Sequence, residues 1–147
     1  MKHEKYQLES DRKQLLFEFT STGPKGKIKK QVQYSETNLK NYYILAFGDH
    51  DEKTNDIDDT VITNNGDSRK VLATVAATVY AFTFKHPEAW VHIEGSTHIR
   101  TRLYRMGITN NILEIKKDFI VNGLKDDKWL PFRRGVEYEA FLIKRKK

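Results

Sequence analysis

The segment Gly95-Ser96-Thr97-His98-Ile99-Arg100-Thr101-Arg102-Leu103-Tyr104-Arg105 holds the residue types best suited to anion chemistry. A glycine followed by hydroxyls at a helix start exposes backbone N–H groups, and the positive end of the helix dipole adds to them. Arginines on the same helix supply bidentate contacts. Arg102 and Arg105 share a face, whereas Arg100 lies about 160° around the helix from Arg102, so all three reach one phosphate only at the helix end. The lysine and spacing of a Walker loop are absent, and the same residues would also suit a plain capped helix.

A second group is acidic. Asp49, Asp51, Glu52, Asp56, Asp58, Asp59 and Asp67 fall within residues 49–67, where Lys53 is the only base. Carboxylates beside His50 could hold Mg²⁺ or Ca²⁺, with Asp56, Asp58 and Asp59 as the ligands, although the spacing does not match an EF-hand. With arginines opposite, such a site would support phosphodiester cleavage. A solvated loop is the plainer reading. The histidines, His3, His50, His86, His92 and His98, show no metal-binding pair at helical spacing, while His92 and His98 flank Gly95 and could meet across its turn. Neither a serine-hydrolase elbow nor a dinucleotide-type glycine fingerprint is present. No catalytic residue is assigned, no cofactor is expected, and a non-enzymatic role is favoured.

The basic residues form further clusters at Lys25, Lys27, Lys29 and Lys30, at Arg133 and Arg134, and from Lys144 to Lys147. Aromatic residues make up 12% of the chain, and Tyr34, Tyr42, Tyr43, Tyr104, Trp129 and Phe132 stand near bases. Rings that stack bases, interleaved with cations that track phosphates, are what single-stranded nucleic acid requires. Tyr104, Trp129 and Phe132 are the rings expected to be exposed; Phe17, Phe19, Phe47 and Phe82 are expected in the core. The expected phosphate-binding set is Lys27, Lys29, Lys30, Ser96, Thr97, Arg100, Arg102, Tyr104 and Arg105.

The whole chain frames these groups. Its 147 residues carry 26 Lys and Arg against 20 Asp and Glu, a net charge of +6. Setting aside residues 49–67, with seven acids and one base, leaves 25 bases and 13 acids, a body of +12 joined to a loop of −6. A mean hydropathy of −0.69 and the absence of a long apolar run exclude a helical membrane span, and Met1-Lys2-His3-Glu4-Lys5 has no signal-peptide core. A cytoplasmic protein is expected. Without cysteine there is no disulfide, thiolate zinc site or cysteine nucleophile.

The pattern predicts a single α+β domain over residues 1–147. Alternation predicts strands over Gln14–Ser21, Ile28–Tyr34, Tyr42–Phe47 and Asp56–Thr63, an antiparallel sheet of about four N-terminal strands with one wet face. Gly23-Pro24-Lys25-Gly26 and Asn64-Asn65-Gly66 supply turns. Val71, Leu72, Val75, Val79 and Phe82 form the apolar stripe of a long covering helix over 68–85, capped by Asp67 or Ser68 and stopped by His86-Pro87. A short strand, Trp90–Glu94, follows. Two helices come next, one capped at Ser96 or Thr97 and ended by Gly107, the other running from Asn110 to Phe119. One or two strands complete the chain, at Ile120-Val121 and Val136–Lys144, with a loop between Gly123 and Arg134.

The runs Gly95-Ser-Thr-x-x-Arg-Thr-Arg-Leu-Tyr-Arg-Met-Gly-Ile108 and Gly135-Val-Glu-Tyr-Glu-Ala-Phe-Leu-Ile-Lys-Arg-Lys146, with Asn55-Asp56 and Asn65-Gly66-Asp67, resemble an uncharacterised family of small bacterial proteins frequent in Bacteroidota. The resemblance covers most of the chain and implies a bacterial protein; it carries no residue roles. A looser topological analogy is to Pur and Whirly single-strand binders, whose unit is also four strands and a covering helix, although two helices in the second half depart from it. The leading expectation is therefore a module binding single-stranded nucleic acid or RNA. A metal-assisted nuclease or other phosphate-ester enzyme, and a protein-interaction subunit, are the alternatives.

Overall fold

The computed structural model describes residues 4–58 and 64–147. Among them are nine strands and three helices, in the order β1 (Glu9–Ser10), β2 (Leu16–Gly23), β3 (Gly26–Glu36), β4 (Tyr42–Asp51), β5 (Asp56–Asp58), α1 (Ser68–Lys85), β6 (Trp90–Ile93), α2 (His98–Asn110), α3 (Ile112–Asp118), β7 (Phe119–Lys125), β8 (Lys128–Pro131) and β9 (Ala140–Arg145). The fold is α+β. One mixed sheet runs β1-β2-β3-β4-β6-β9-β7-β8, with β5 paired to the end of β4.

The N-terminal strands form the expected antiparallel meander, longer at both ends of β3 than the alternation alone suggested. The sheet then departs from the antiparallel pattern, because β4 pairs with β6 in parallel, Tyr42 opposite Trp90 and Leu45 opposite Ile93. Parallel neighbours require a crossover, and α1 is that crossover. The remainder of the expected fourth strand, and Asp59, lie outside the described residues.

Strand parity assigns the two faces. Phe17 and Phe19 of β2, Val32 and Tyr34 of β3, Leu45 and Phe47 of β4, Val91 and Ile93 of β6, Phe141 and Ile143 of β9 and Val121 of β7 are buried on the inner face. α1 packs there with the apolar stripe read from its spacing. Its Phe82 ring stacks on Tyr34 at 4.1 Å and meets the edge of Tyr43 at 5.0 Å. Three buried threonines on the same helix place their hydroxyls without loss. Thr74 bonds the Lys70 carbonyl, Thr78 bonds the Val75 carbonyl and pairs with the Tyr34 hydroxyl, and Thr83 bonds the Val79 carbonyl. Burial pushes the Tyr34 hydroxyl well above its ordinary pKa, so it stays neutral.

Three local expectations are corrected. Gly107 does not end α2; it sits inside the helix, facing the Leu72 side chain of α1, and α2 runs on to Asn110. The stretch taken as a loop from Gly123 is a hairpin, β7 and β8, turned by Asp126 and Asp127 at φ 50 and 62. Pro131 fits because β8 is an edge strand. Phe132 is 2% exposed and packs on Tyr138 and Phe141, so it is core rather than a surface ring.

Among the described residues no helix lies over the outer face of the sheet. Parity places Lys27 and Lys29 there with Tyr42, Ile44, Trp90, His92, Leu142, Lys144 and Trp129. Its charges are largely matched on the spot. Lys29 lies 2.8 Å from Glu18, whose carboxyl is held below the usual range chiefly by that hydrogen bond, and Lys144 lies 3.6 Å from Glu88. His92 bonds the Tyr42 hydroxyl and Glu94. The face is aromatic but only weakly cationic.

Candidate phosphate pocket

The basic clusters do not share one face; their grouping is by end of the sheet. β4 and β6 run in the same direction, and the chain leaves each of them towards a helix, by way of β5 into α1 and through the Gly95 turn into α2. At that end the β2–β3 hairpin tip is tied to the loop before α1: Asn65 Oδ1 accepts from the Lys25 amide at 2.7 Å, and its Nδ2 donates to the Gly26 carbonyl at 2.9 Å. Gly23 permits this contact, since a Cβ there would collide with the Asn65 carbonyl. Lys25, Lys27, Arg69, Lys70 and Arg100 thus belong to one end of the molecule. The basic tail lies at the other, where Arg145 of β9 pairs with Phe119 and bonds Thr83 and the Tyr80 carbonyl near the end of α1.

Within the first end, a pocket of 140 Å³ lies between β3, the start of α1 and the first turns of α2, and Lys30, Asp67, Ser68, Arg100 and Tyr104 line it. The hairpin parity places Lys30 in phase with Ile28, Val32 and Tyr34, so it points inward, away from Lys27 and Lys29. It has no exposed surface, and its amine lies 2.5 Å from the carboxylate of Asp49, its cross-strand partner on β4. Asp67 stands at the N-cap of α1 but does not cap it. Its carboxylate instead accepts from Ser21 at 2.5 Å and Tyr6 at 2.6 Å. The Asp67 side chain is therefore not what caps the first turn of α1.

The Gly95 turn sets the other wall. Thr97 caps α2 by accepting from the Arg100 amide at 3.3 Å, as its sequence position suggested, and Ser96 accepts from the Arg100 guanidinium at 3.0 Å. The Gly95 amide donates to Thr101 at 3.0 Å, and a Cβ at this position would fall on the Arg100 and Thr101 backbone. Gly95→Ala should therefore displace the first turn of α2 and lower stability by about 1–3 kcal/mol, read by chemical denaturation. An unchanged midpoint would mean that the turn relaxes freely.

Of the expected phosphate-binding residues, the structure brings Lys30, Arg100 and Tyr104 to one pocket, with Ser96 and Thr97 supporting Arg100. Arg105 turns away to bond the Val136 carbonyl at 3.1 Å, and Arg102 is exposed. Asp56 and Asp58 sit on β5 opposite Asp51 and Asp49. Among the described residues no three His, Cys, Asp or Glu side chains are placed to hold a metal ion. His98 does not join His92, which is engaged by Tyr42 and Glu94. Sequence reasoning passed over Asp67 and Asn65 as cap and turn, and missed Ser21 and Tyr6; the only signal was the inward parity of Ser21 opposite Ile28.

A family model described as a family of unknown function, DUF6934, matches residues 2–146. The chain belongs to this family. Neither a curated protein nor a solved structure matches. No helix among the described residues is long and apolar enough to cross a membrane. In this DUF6934 member the pocket brings Arg100, the Asp49-paired Lys30 and Tyr104 beside the Asp67 carboxylate, itself held by Ser21 and Tyr6, over an apolar wall of Phe47, Val71 and Leu103. It is too small for a whole drug-sized ligand, for which about 300–1,000 Å³ is usual, and of a size to take one head group.

Proposed function

We propose that the chain is a non-enzymatic module that binds single-stranded nucleic acid, RNA or DNA, by seating a backbone phosphate in the pocket of Lys30, Arg100 and Tyr104. The observation that carries this reading is the convergence of Lys30 and Arg100 from segments seventy positions apart onto one pocket at the start of α1. Lys25, Lys27 and Lys70 belong to the same end and supply a path for neighbouring phosphates. Ligand sites in open α/β sheets lie outside the carboxyl ends of parallel strands, and this pocket lies at that end of β4 and β6. The matched charges of the outer sheet face argue against that face as the main polyanion surface.

Fluorescence anisotropy with labelled oligonucleotides across a salt series tests the reading. Arg100→Ala should weaken binding roughly ten- to a hundredfold, as expected for a charged hydrogen bond. It should also flatten the slope of log K against log salt by about 0.7. Lys146→Ala with Lys147→Ala, at the far end, should leave both unchanged. Absence of binding at low salt, or an affinity indifferent to Arg100, would overturn the assignment.

A further inference from the structure

A second, larger space lies beside the phosphate pocket and has different chemistry. Between α1, α2, α3 and the inner face of the sheet is a cavity of 380 Å³. Its walls are apolar: Leu72, Val75 and Val79 from α1, Ile108 from α2, Ile115 from α3 and Ile143 from β9. The core thus does not close between the helices. Such a gap forfeits packing energy, since interiors are otherwise filled to crystal-like density. A cavity of about 150 Å³ with Leu, Ile and Phe walls holds one benzene, so this one has room for roughly ten to fifteen heavy atoms.

Its polar lining comes from Arg69, Asn110, Asn111 and the tyrosines Tyr80 and Tyr104. Of these, Arg69 and Asn110 are exposed. The Arg69 side chain enters no ion pair among the described residues. At the other end of the α1 wall, the Tyr80 hydroxyl donates to Asp118 at 3.2 Å; burial first, and then this carboxylate, push it up to about 12, so it is a neutral group at physiological pH. The cavity therefore offers apolar walls, one cation at its mouth and no carboxylate among its lining residues.

We propose that this cavity binds a free small amphiphile, an unbranched or ring-containing apolar body of about ten carbons ending in a single anionic head, with the body between α1 and the sheet and the head at Arg69. The site is separate from the nucleic-acid reading, sharing only Leu72 and Tyr104 as a common wall with the phosphate pocket.

Calorimetric titration of the full chain with decanoate below its micellar concentration tests it, with decanol as the uncharged probe and phosphatidylglycerol vesicles as the lipid-surface probe. Decanoate should bind with one-to-one stoichiometry. Arg69→Gln should weaken decanoate at least tenfold and leave decanol within twofold. Ala76→Phe, which fills the cavity from the α1 wall, should abolish both; Gly107→Leu, which fills it from α2, serves the same purpose if the first variant fails to fold by circular dichroism. No saturable binding of either probe, equal loss of both in Arg69→Gln, or binding that survives both filled variants would overturn the proposal. So would capture by vesicles without binding of monomeric decanoate. Oligonucleotide binding by Ala76→Phe is expected to persist, which separates failure here from failure of the phosphate pocket.

Discussion

Replacing Asp49 by alanine is expected to destabilise the fold by about 3–5 kcal/mol, because it strips the carboxylate from beside a lysine with no exposed surface. Lys30 and Asp49 face each other across β3 and β4 on the inner side of the sheet, where neighbouring positions are Phe19, Val32 and Phe47. Taking two charges out of water costs several kcal/mol each, which close geometry and further hydrogen bonds must repay. The double variant Lys30→Met with Asp49→Leu removes both charges and keeps the volume, so it should recover most of the loss or exceed the parent. Urea denaturation at neutral pH measures both. A loss below about 1 kcal/mol in Asp49→Ala would mean that Lys30 is held by another partner or reaches solvent. The double variant also separates roles: if Lys30 is present for phosphate, the protein should be stable yet bind oligonucleotides weakly.

Phe82→Ala should cost a similar amount, about 3–5 kcal/mol, through a different cause. The ring has no exposed surface, lies flat on Tyr34 at 4.1 Å, and touches Tyr43 at 5.0 Å and His86 at 4.8 Å. It fixes the C-terminal half of α1 to β3 and β4, and its removal leaves a void that these rigid neighbours cannot close. For a chain of this length the loss corresponds to a fall in Tm of roughly 10 °C or more, read by calorimetry. Phe82 lies at the end of α1 remote from the phosphate pocket, so oligonucleotide binding well below the new Tm should be retained. A Tm within 2 °C or so of the parent would show that the aromatic stack is not what holds the helix.

Much of the fold was legible wherever local chemistry and tertiary packing agree. The helix Ser68–Lys85 has the apolar spacing, the polar start and the His86-Pro87 stop that packing also uses, and its ends coincide with the expected ones. Thr97 caps α2 as its position implies. Legibility failed where packing overruled a local preference. Gly107 reads as a helix stop, but α2 continues through it to Asn110, and it faces Leu72 of α1. Asp126-Asp127 is a weak turn signal beside Asn-Gly, and Pro131 argued against a strand that only its edge position permits. In the site, the parity that placed Ile28, Val32 and Tyr34 inward also places Lys30 there, although a lysine cluster reads first as surface. Meeting of Lys30 with Arg100 depends on contacts seventy positions apart, which no local pattern carries.

The parallel pairing of β4 with β6 is the most distant strand contact of the N-terminal half, and it bears on the order of assembly. Tyr42 finds Trp90 only across 48 positions, whereas β2, β3 and β4 meet through tight connections. Loop closure must be met before such distant pairs contribute, so the N-terminal meander can assemble first. Until α1 docks, it then presents Phe17, Phe19, Val32 and Phe47 to water, with the edge of β4 open. A meander formed ahead of α1 would be open to self-association, and α1 is the element that both shields that apolar face and connects to β6 at the open edge.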